Sequence, residues 1–320
     1  MKSPCTFIVQ LKPVSKSDYI IDSLKKKPQP VIAIVGPTCT GKTDLAIELG
    51  QKLGIEIINV DSRLIFDEMN IGTAKPRSDE LAAVKHHLVN IKKPNESYSA
   101  GEYREDFDKA MEAINFNPED SQPQVIVVGG TGLYTRSALD NLDMPTIGRD
   151  EALREELKEK GLDQLTLMLN DLDPEAHKDV DMKNKVRVIR AIEIVQLSGK
   201  PLSENRSKSS TNRYDTAYYA LNFHRRRSLY DLIDKRVIQM IRRGLVHEVE
   251  ALVEKYGVTE TLMGTIGYRE IIGYLKKEYS LSQARRMIQK KTRVYAKKQM
   301  TWFNQNRSIE WLYHDEPVPV

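Results

Sequence analysis

Cysteine occurs only twice in 320 residues, at Cys5 and Cys39. Two thiols far apart in the chain exclude a disulfide scaffold and a four-cysteine zinc site, and they suit a reducing cytosol. No run of apolar residues approaches the roughly 20 needed to cross a bilayer, so no transmembrane span and no membrane partner are expected. Residues 1–30 lack a long apolar stretch ahead of a small-residue cleavage site, so no secretory signal is expected and the chain reads as cytoplasmic. Neither sign of charge dominates: 49 basic against 45 acidic residues leave a net +4. That balance decides nothing about nucleic acid; the placement of the basic residues must.

Forty per cent hydrophobic and 29% charged residues describe an ordinary globular chain, and the length allows about two domains. Residues 1–30 mix Lys, Ser and Pro around one short apolar run, Phe7 to Leu11, and read as a loosely held N-terminal extension. Val31 to Val35 is an apolar run between Pro30 and Gly36, the pattern of a buried parallel strand. Leu45, Ala46, Leu49 and Leu53 then recur at helical spacing up to Gly54. Ile55 to Val60 and Val125 to Val128 read as further strands, with Tyr98 to Ile114 a helix between them. This alternation predicts an α/β fold with a parallel sheet covered on both faces.

From Asp150 to Ser198 only helical periodicities occur, over 151–160, 164–170 and 185–197. Ser203 to Tyr214 is polar and reads as a loop or hinge. Ala217 to Phe223 can rejoin the sheet as a strand, and the remainder reads as helix over 228–244, 246–256, 267–277 and 280–303. The predicted layout is a core over 31–142 and 213–320, interrupted by an all-helical insertion over 143–212, with a helical C-terminal region.

Gly36-Pro37-Thr38-Cys39-Thr40-Gly41-Lys42-Thr43 matches G-x-x-x-x-G-K-[ST] between a strand and a helix, the context a P-loop requires. Its glycines let backbone N–H groups wrap phosphate oxygens, and the helix that follows adds its positive end. Lys42 is expected to reach the terminal phosphate and Thr43 to hold Mg²⁺ through its hydroxyl. Nucleotide hydrolases usually add an acid at the end of a hydrophobic strand. Here Val125 to Val128 runs instead into Gly129-Gly130-Thr131. The strand-end carboxylate is Asp61, and its residue type allows a Mg²⁺ ligand, a general base or a helix N-cap. The P-loop, Asp61 and Thr131 should converge on one crevice at the carboxyl ends of the strands. His86-His87 could suggest a metal site, but adjacent histidines point apart, and packing explains them better.

At these residues the sequence resembles the bacterial tRNA dimethylallyltransferases, or tRNA isopentenyltransferases, from about Val31 to Trp311. Ordered blocks carry the likeness: the P-loop octet, Asp61-Ser62, Met69 to Pro76, His86-His87-Leu88 and Val128 to Tyr134. Arg187 to Glu193, Gly267-Tyr268-Arg269-Glu270 and Thr292 to Trp302 follow. The resemblance implies transfer of a dimethylallyl group from its diphosphate to N6 of adenosine 37 in tRNA. It also implies that the P-loop-like core holds a diphosphate leaving group, with Mg²⁺ as cofactor. Asp61 matches the family's general base, and Lys42 with the loop amides would stabilise the departing diphosphate. Thr131 would bond near the amine or the diphosphate; the plainer alternative is a turn hydroxyl. Arg236 matches a family arginine that grips diphosphate. Three positions depart from the family pattern: Leu232 stands for a second such arginine, Phe66 for a tyrosine and Asn70 for an aspartate.

Arg286, Lys290, Arg293 and Lys297 recur every three or four residues on one helix face. Ala284, Ile288, Tyr295 and Trp302 lie opposite, and no acid occurs from Tyr279 to Ile309. A basic face without interleaved acids favours phosphate contact over simple solvation, and Arg225-Arg226-Arg227 adds to the field. The resemblance further implies contacts to the tRNA anticodon arm by Arg154 and Val186-Arg187-Val188-Ile189-Arg190. Asp61, Ser62, Arg63 and Leu64 would read a base lifted from the stack. The chain is expected to act as a monomer. Alternatives are a transferase acting on free adenine nucleotides, an ATP-dependent small-molecule kinase and a non-catalytic RNA-binding protein.

Overall fold

The computed structural model describes residues 15–140, 148, 150–202 and 212–316. Cys5, the run Phe7 to Leu11 and residues 203–211 of the polar segment lie outside these. The chain divides into two units, Met1–Leu139 with Asn212–Val320, and Asp140–Thr211.

The first unit opens with α1 (Lys16–Lys26), whose Ser15 cap accepts the Asp18 N–H. Here the structure corrects the sequence reading, since this part of the extension is not loose. Ile20 and Leu24 are buried with Ile32, Leu45 and Leu49. They sit four residues apart on the buried face, with Tyr19 and Ile21 packed partly buried beside them, so a narrow apolar stripe docks a helix whose ends are polar.

β1 (Val31–Val35) leads through the glycine-rich turn into α2 (Lys42–Leu53), which Gly54 ends in a left-handed conformation. β2 (Glu56–Asn59), α3 (Ser78–Ala83), β3 (His86–His87), α4 (Ala100–Ala113), β4 (Val125–Val128) and α5 (Gly132–Leu139) follow. Within the second unit, α6 (Glu151–Glu159), α7 (Leu162–Leu172) and α8 (Lys185–Ser198) pack around Leu157, Leu165, Leu169, Val188 and Ile192. The chain then returns to the first unit as β5 (Thr216–Asn222), α9 (Arg226–Arg242), α10 (Leu245–Tyr256), α11 (Glu260–Gly264), α12 (Tyr268–Leu275), α13 (Leu281–Phe303) and β6 (Ile309–Tyr313).

The six strands form one parallel sheet in the order β3-β2-β4-β1-β5-β6. Its faces separate by simple alternation. Val31, Ala33 and Val35 join Tyr103, Phe107 and Phe303 on one side. Ile32 and Ile34 join α1 and α2 on the other. A third apolar cluster, away from the sheet, ties α9, α10, α12 and α13 together through Val237, Leu245, Tyr268 and Ile288. β1 is central, so the turn that follows it opens at the middle of the sheet's carboxyl edge, with the end of β4 beside it and that of β2 one strand further on.

Candidate active site

The turn after β1 is built for close backbone approach. Gly36 has φ +122°, and a Cβ there would stand 2.7 Å from the Leu221 carbonyl oxygen of β5, so only glycine fits. Cys39 follows with φ 67°, a left-handed residue inside the loop. The loop also bonds to itself: Thr40 Oγ1 donates to the Pro37 carbonyl at 2.9 Å and Lys42 Nζ to the same oxygen at 2.7 Å. Burial pulls the Lys42 ammonium down to about 8, against the raising influence of Asp61.

Three side chains from late in the sequence hold this loop. Gln299 of α13 accepts the Thr38 N–H at 2.9 Å and donates to the Gly130 carbonyl at 2.8 Å, bridging the turns after β1 and β4. Arg236 of α9 donates to Thr38 Oγ1 at 3.1 Å and to the Thr73 carbonyl at 3.4 Å. His314 Nε2 lies 2.8 Å from the Thr40 carbonyl oxygen. Neither Gln299 nor His314 is singled out in the sequence reading. A signal for Gln299 was present: it is a polar residue in phase with Ala284, Ile288 and Phe303 on the buried face of α13.

Asp61 sits at the end of β2 in a turn shaped by Asn59. The Asn59 side chain accepts the Asp61 N–H at 2.9 Å and donates to the carbonyls of Asp61 and Leu88 at 3.0 and 2.9 Å. Asp61 Oδ1 accepts the Arg63 N–H at 2.9 Å. Thr131 closes the same turn from the β4 side, accepting the Ser62 N–H at 3.1 Å and donating to Ser62 Oγ at 3.3 Å. The Tyr295 hydroxyl lies beside them; burial and the Asp61 charge push it up to about 12, against hydrogen bonds to Thr131 and Gln299.

Two cavities meet at this point. A polar crevice of about 480 Å³ runs along the P-loop from Thr38 to Asp44 and reaches Asp61, Leu64, Lys75 and α9. An inner pocket of about 300 Å³ is walled by Ile233, Val237, Met240 and Ile288, with Ser62, Arg63, Thr131 and Tyr295 around it. Thr38, Cys39, Asp61, Thr73 and Arg236 belong to both. Thr43, in the first turn of α2, opens on the crevice with Asp61 and Asn59. Among the described residues no group of three or more His, Cys, Asp or Glu is placed to hold a metal. His86 Nδ1 donates to the Val84 carbonyl while its ring also lines the crevice, and His87 meets Glu56, so the pair holds the sheet edge.

The expected RNA contacts separate into exposed and engaged residues. On α13, Arg286, Lys290 and Lys297 are exposed. Arg293 is not free: its guanidinium pairs with Asp234 and lies 5.9 Å from the Tyr230 ring centre. In the second unit Val186 is 76% exposed and Arg187 also faces solvent. Val188 and Ile189 do not, at 0% and 7% exposure, because they fill the core of that unit. Arg154 and Arg190 both clamp the buried Glu193, with Arg154 Nε and Nη2 at 2.8 and 2.7 Å and Arg190 Nη1 at 2.5 Å. Burial pushes the Glu193 carboxyl up, but the two guanidiniums and the Asp150 N–H bring it down to about 2. Val188, Ile189 and Arg154 are therefore better understood as structural residues than as an RNA-reading surface.

Known proteins resemble this chain over most of its length. The tRNA dimethylallyltransferase of Acetivibrio thermocellus is 40% identical over 293 residues, covering 89% of this chain and 92% of that protein. A homologous tRNA dimethylallyltransferase from Macrococcus caseolyticus is 38% identical over 288 residues. The crystal structure of the full-length tRNA isopentenylpyrophosphate transferase from Bacillus halodurans superposes with a TM-score of 0.63 at 33% identity, covering 89% of this chain and 90% of that one. A eukaryotic dimethylallyltransferase acting on tRNA superposes with a TM-score of 0.74 at 27% identity, covering 88% of this chain and 73% of that one. The family model described as IPP transferase matches residues 64–306. That match begins just after Asp61, so the P-loop and Asp61 rest on the geometry above and on the longer pairwise alignments. With three quarters of its length inside the model, the chain belongs to the IPP transferase family.

Proposed function

We propose that this protein is a tRNA dimethylallyltransferase, moving a dimethylallyl group from its diphosphate to N6 of adenosine 37 in the anticodon arm and releasing diphosphate. The observation that carries this reading is the junction of a phosphate-type crevice with a less polar pocket at Asp61. A hydrolase needs only the first. A prenyl transferase needs a cradle for the leaving group, room for the allyl chain, and a base where the two meet.

The residues divide the work accordingly. Loop amides, Lys42 and Arg236 take the diphosphate as negative charge builds on it. The apolar wall of Ile233, Val237 and Met240 suits the allyl group. The exocyclic amine of adenine is a weak nucleophile, since its lone pair is delocalised into the ring. Asp61 accepts its proton as the C–N bond forms, with Oδ1 oriented by the Arg63 N–H and Oδ2 left for the substrate. Thr131 and Ser62 shape the floor for the extruded base.

Mg²⁺ fits here as a partner of the substrate rather than of a protein cage. The crevice offers the Thr43 hydroxyl near the P-loop, and Mg²⁺ bound to phosphates typically needs only one or two protein ligands. It would supply charge neutralisation on the diphosphate. The tRNA substrate favours a cytoplasmic location, and every residue assigned to the crevice comes from one chain, as a monomer requires.

Mass spectrometry of nucleosides from tRNA incubated with protein, dimethylallyl diphosphate and Mg²⁺ tests the reading directly. The expected product is N6-dimethylallyladenosine in tRNA. Modification of free AMP, ADP or ATP with unmodified tRNA would refute it. In the same assay Asp61→Asn should lower turnover by about 10² to 10⁴, the usual worth of a general base. Rescue of that variant by excess Mg²⁺ would make Asp61 a metal ligand instead.

A further inference from the structure

The polar crevice carries more positive charge than the P-loop uses. Six cations line it, Lys42, Lys75, Arg77, Lys235, Arg236 and Arg243, against three carboxylates, Asp44, Asp61 and Glu80. Four of the six have work to do within the fold. Lys42 bonds the Pro37 carbonyl, Lys75 the Phe66 carbonyl and Asn90, Arg77 pairs with Asp79 and Glu80, and Arg236 holds Thr38 and Thr73. The side chains of Lys235 and Arg243 are exposed and make no hydrogen bond or ion pair among the described residues.

Both lie on one face of α9, Lys235 within it and Arg243 as its C-cap. Leu232, Lys235, Arg236, Gln239 and Arg243 all line the crevice, at the spacing that keeps side chains on one stripe of a helix. Leu232 is apolar and 38% exposed there, so the charge of this stripe begins at Lys235. Lys235 precedes Arg236, whose guanidinium reaches the P-loop. Arg243 lies eight residues on, roughly 12 Å along the helix axis, too far to share a phosphate with Lys235. An unpaired cation beside a phosphate cradle, and another on the path into it, form a graded positive track.

Resting on the diphosphate reading of the P-loop, we infer that Lys235 is a further binding residue for the diphosphate of the donor, and that Arg243 steers the anion into the crevice. A flexible ammonium one residue from Arg236 can close on the outer phosphate oxygens once the P-loop has taken the inner ones. Arg243 acts at longer range, so its effect falls on association and is screened by salt.

The test measures binding of inorganic diphosphate, with Mg²⁺ present, to the full-length chain by titration calorimetry and stopped-flow. Lys235→Gln should weaken binding about tenfold, as loss of one charge-assisted contact does, and Lys235→Arg should restore most of it. Arg243→Gln should slow association at low salt with little change in dissociation, and the difference should vanish at high salt. Lys276→Gln, an exposed lysine outside the crevice, is the control. Wild-type protein that fails to bind diphosphate would refute the cradle reading itself. Wild-type protein that binds it, with Lys235→Gln binding equally well or Lys276→Gln equally weakened, would overturn this inference alone.

Discussion

Lys42 is the residue whose chemistry depends most on its surroundings. Burial brings its ammonium down to about 8, below the ordinary value near 10.5. The sign of the consequence follows. Its charge is present below that pH and lost as pH rises through it, so diphosphate affinity should fall across the window from about 8 upward. Bound diphosphate favours the ammonium, so binding near pH 8 should take up protons. Calorimetry in buffers of different ionisation enthalpy should detect that uptake in the wild type and not in Lys42→Met. Because the unfolded lysine keeps its proton to higher pH, this group costs stability below about 8 and the cost lifts as pH rises toward 10.5. Lys42→Ala should cost at least a hundredfold in turnover while leaving tRNA retention in a gel-shift assay unchanged.

Whole elements are fixed by single carboxylates. Glu248 of α10 accepts the N–H groups of Asn70, Ile71 and Gly72 at 3.0, 2.7 and 3.0 Å, and the Tyr268 hydroxyl at 2.6 Å. It thereby sets the loop whose next residue, Thr73, receives Arg236. Glu248→Ala strands those amides and should cost about 2 kcal/mol in chemical denaturation, with weaker diphosphate binding because Arg236 loses its outer anchor. In the second unit, Glu193→Ala leaves the guanidiniums of Arg154 and Arg190 uncompensated and should cost about 3 kcal/mol of that unit's stability, read as faster amide exchange in α6 and α8. With its carboxyl held at about 2, the stability Glu193 contributes is complete above pH 4.5 and is lost as pH falls toward 2. The elements legible in the sequence are those with local signals: β1, the P-loop and α2 follow from an apolar run, two glycines and a helical repeat. β3 was not legible because two residues carry no periodicity. β6 was hidden because Ile309–Tyr313 buries only Ile309 and Leu312, and α1 because only Ile20 and Leu24 of its apolar residues are fully buried, with Tyr19 and Ile21 half-buried beside them. Among site residues, the P-loop and Asp61 stand out by motif and Gln299 by its phase with the buried face of α13, whereas Asn59 and Glu248 act through tertiary contacts that no spacing announces. The RNA contact that the family resemblance implied for Val188 and Ile189 was not legible either way from the chain, and both side chains belong to a core rather than to a recognition surface.

Across the whole molecule, the exposed part of the α13 stripe is the testable electrostatic surface. Replacing Arg286, Lys290 and Lys297 together by Gln should flatten the plot of log tRNA affinity against log salt by about two to three units of slope, with diphosphate binding retained. An unchanged slope would place the RNA elsewhere. The order of the sheet carries one more consequence, which concerns synthesis. β1 is paired by β4 on one side and β5 on the other, and β5 follows the entire second unit in the chain. While the ribosome is still making residues 140–215, the finished part of the sheet ends in Val31 to Val35, an apolar strand with one open edge. Such an edge invites pairing with other chains. Gln299 and Arg236, which brace the P-loop, emerge later still. A chain interrupted before β5 is thus a sticky half-sheet without a working cradle, and its fate in the cell depends on a chaperone reaching that edge before another nascent chain does.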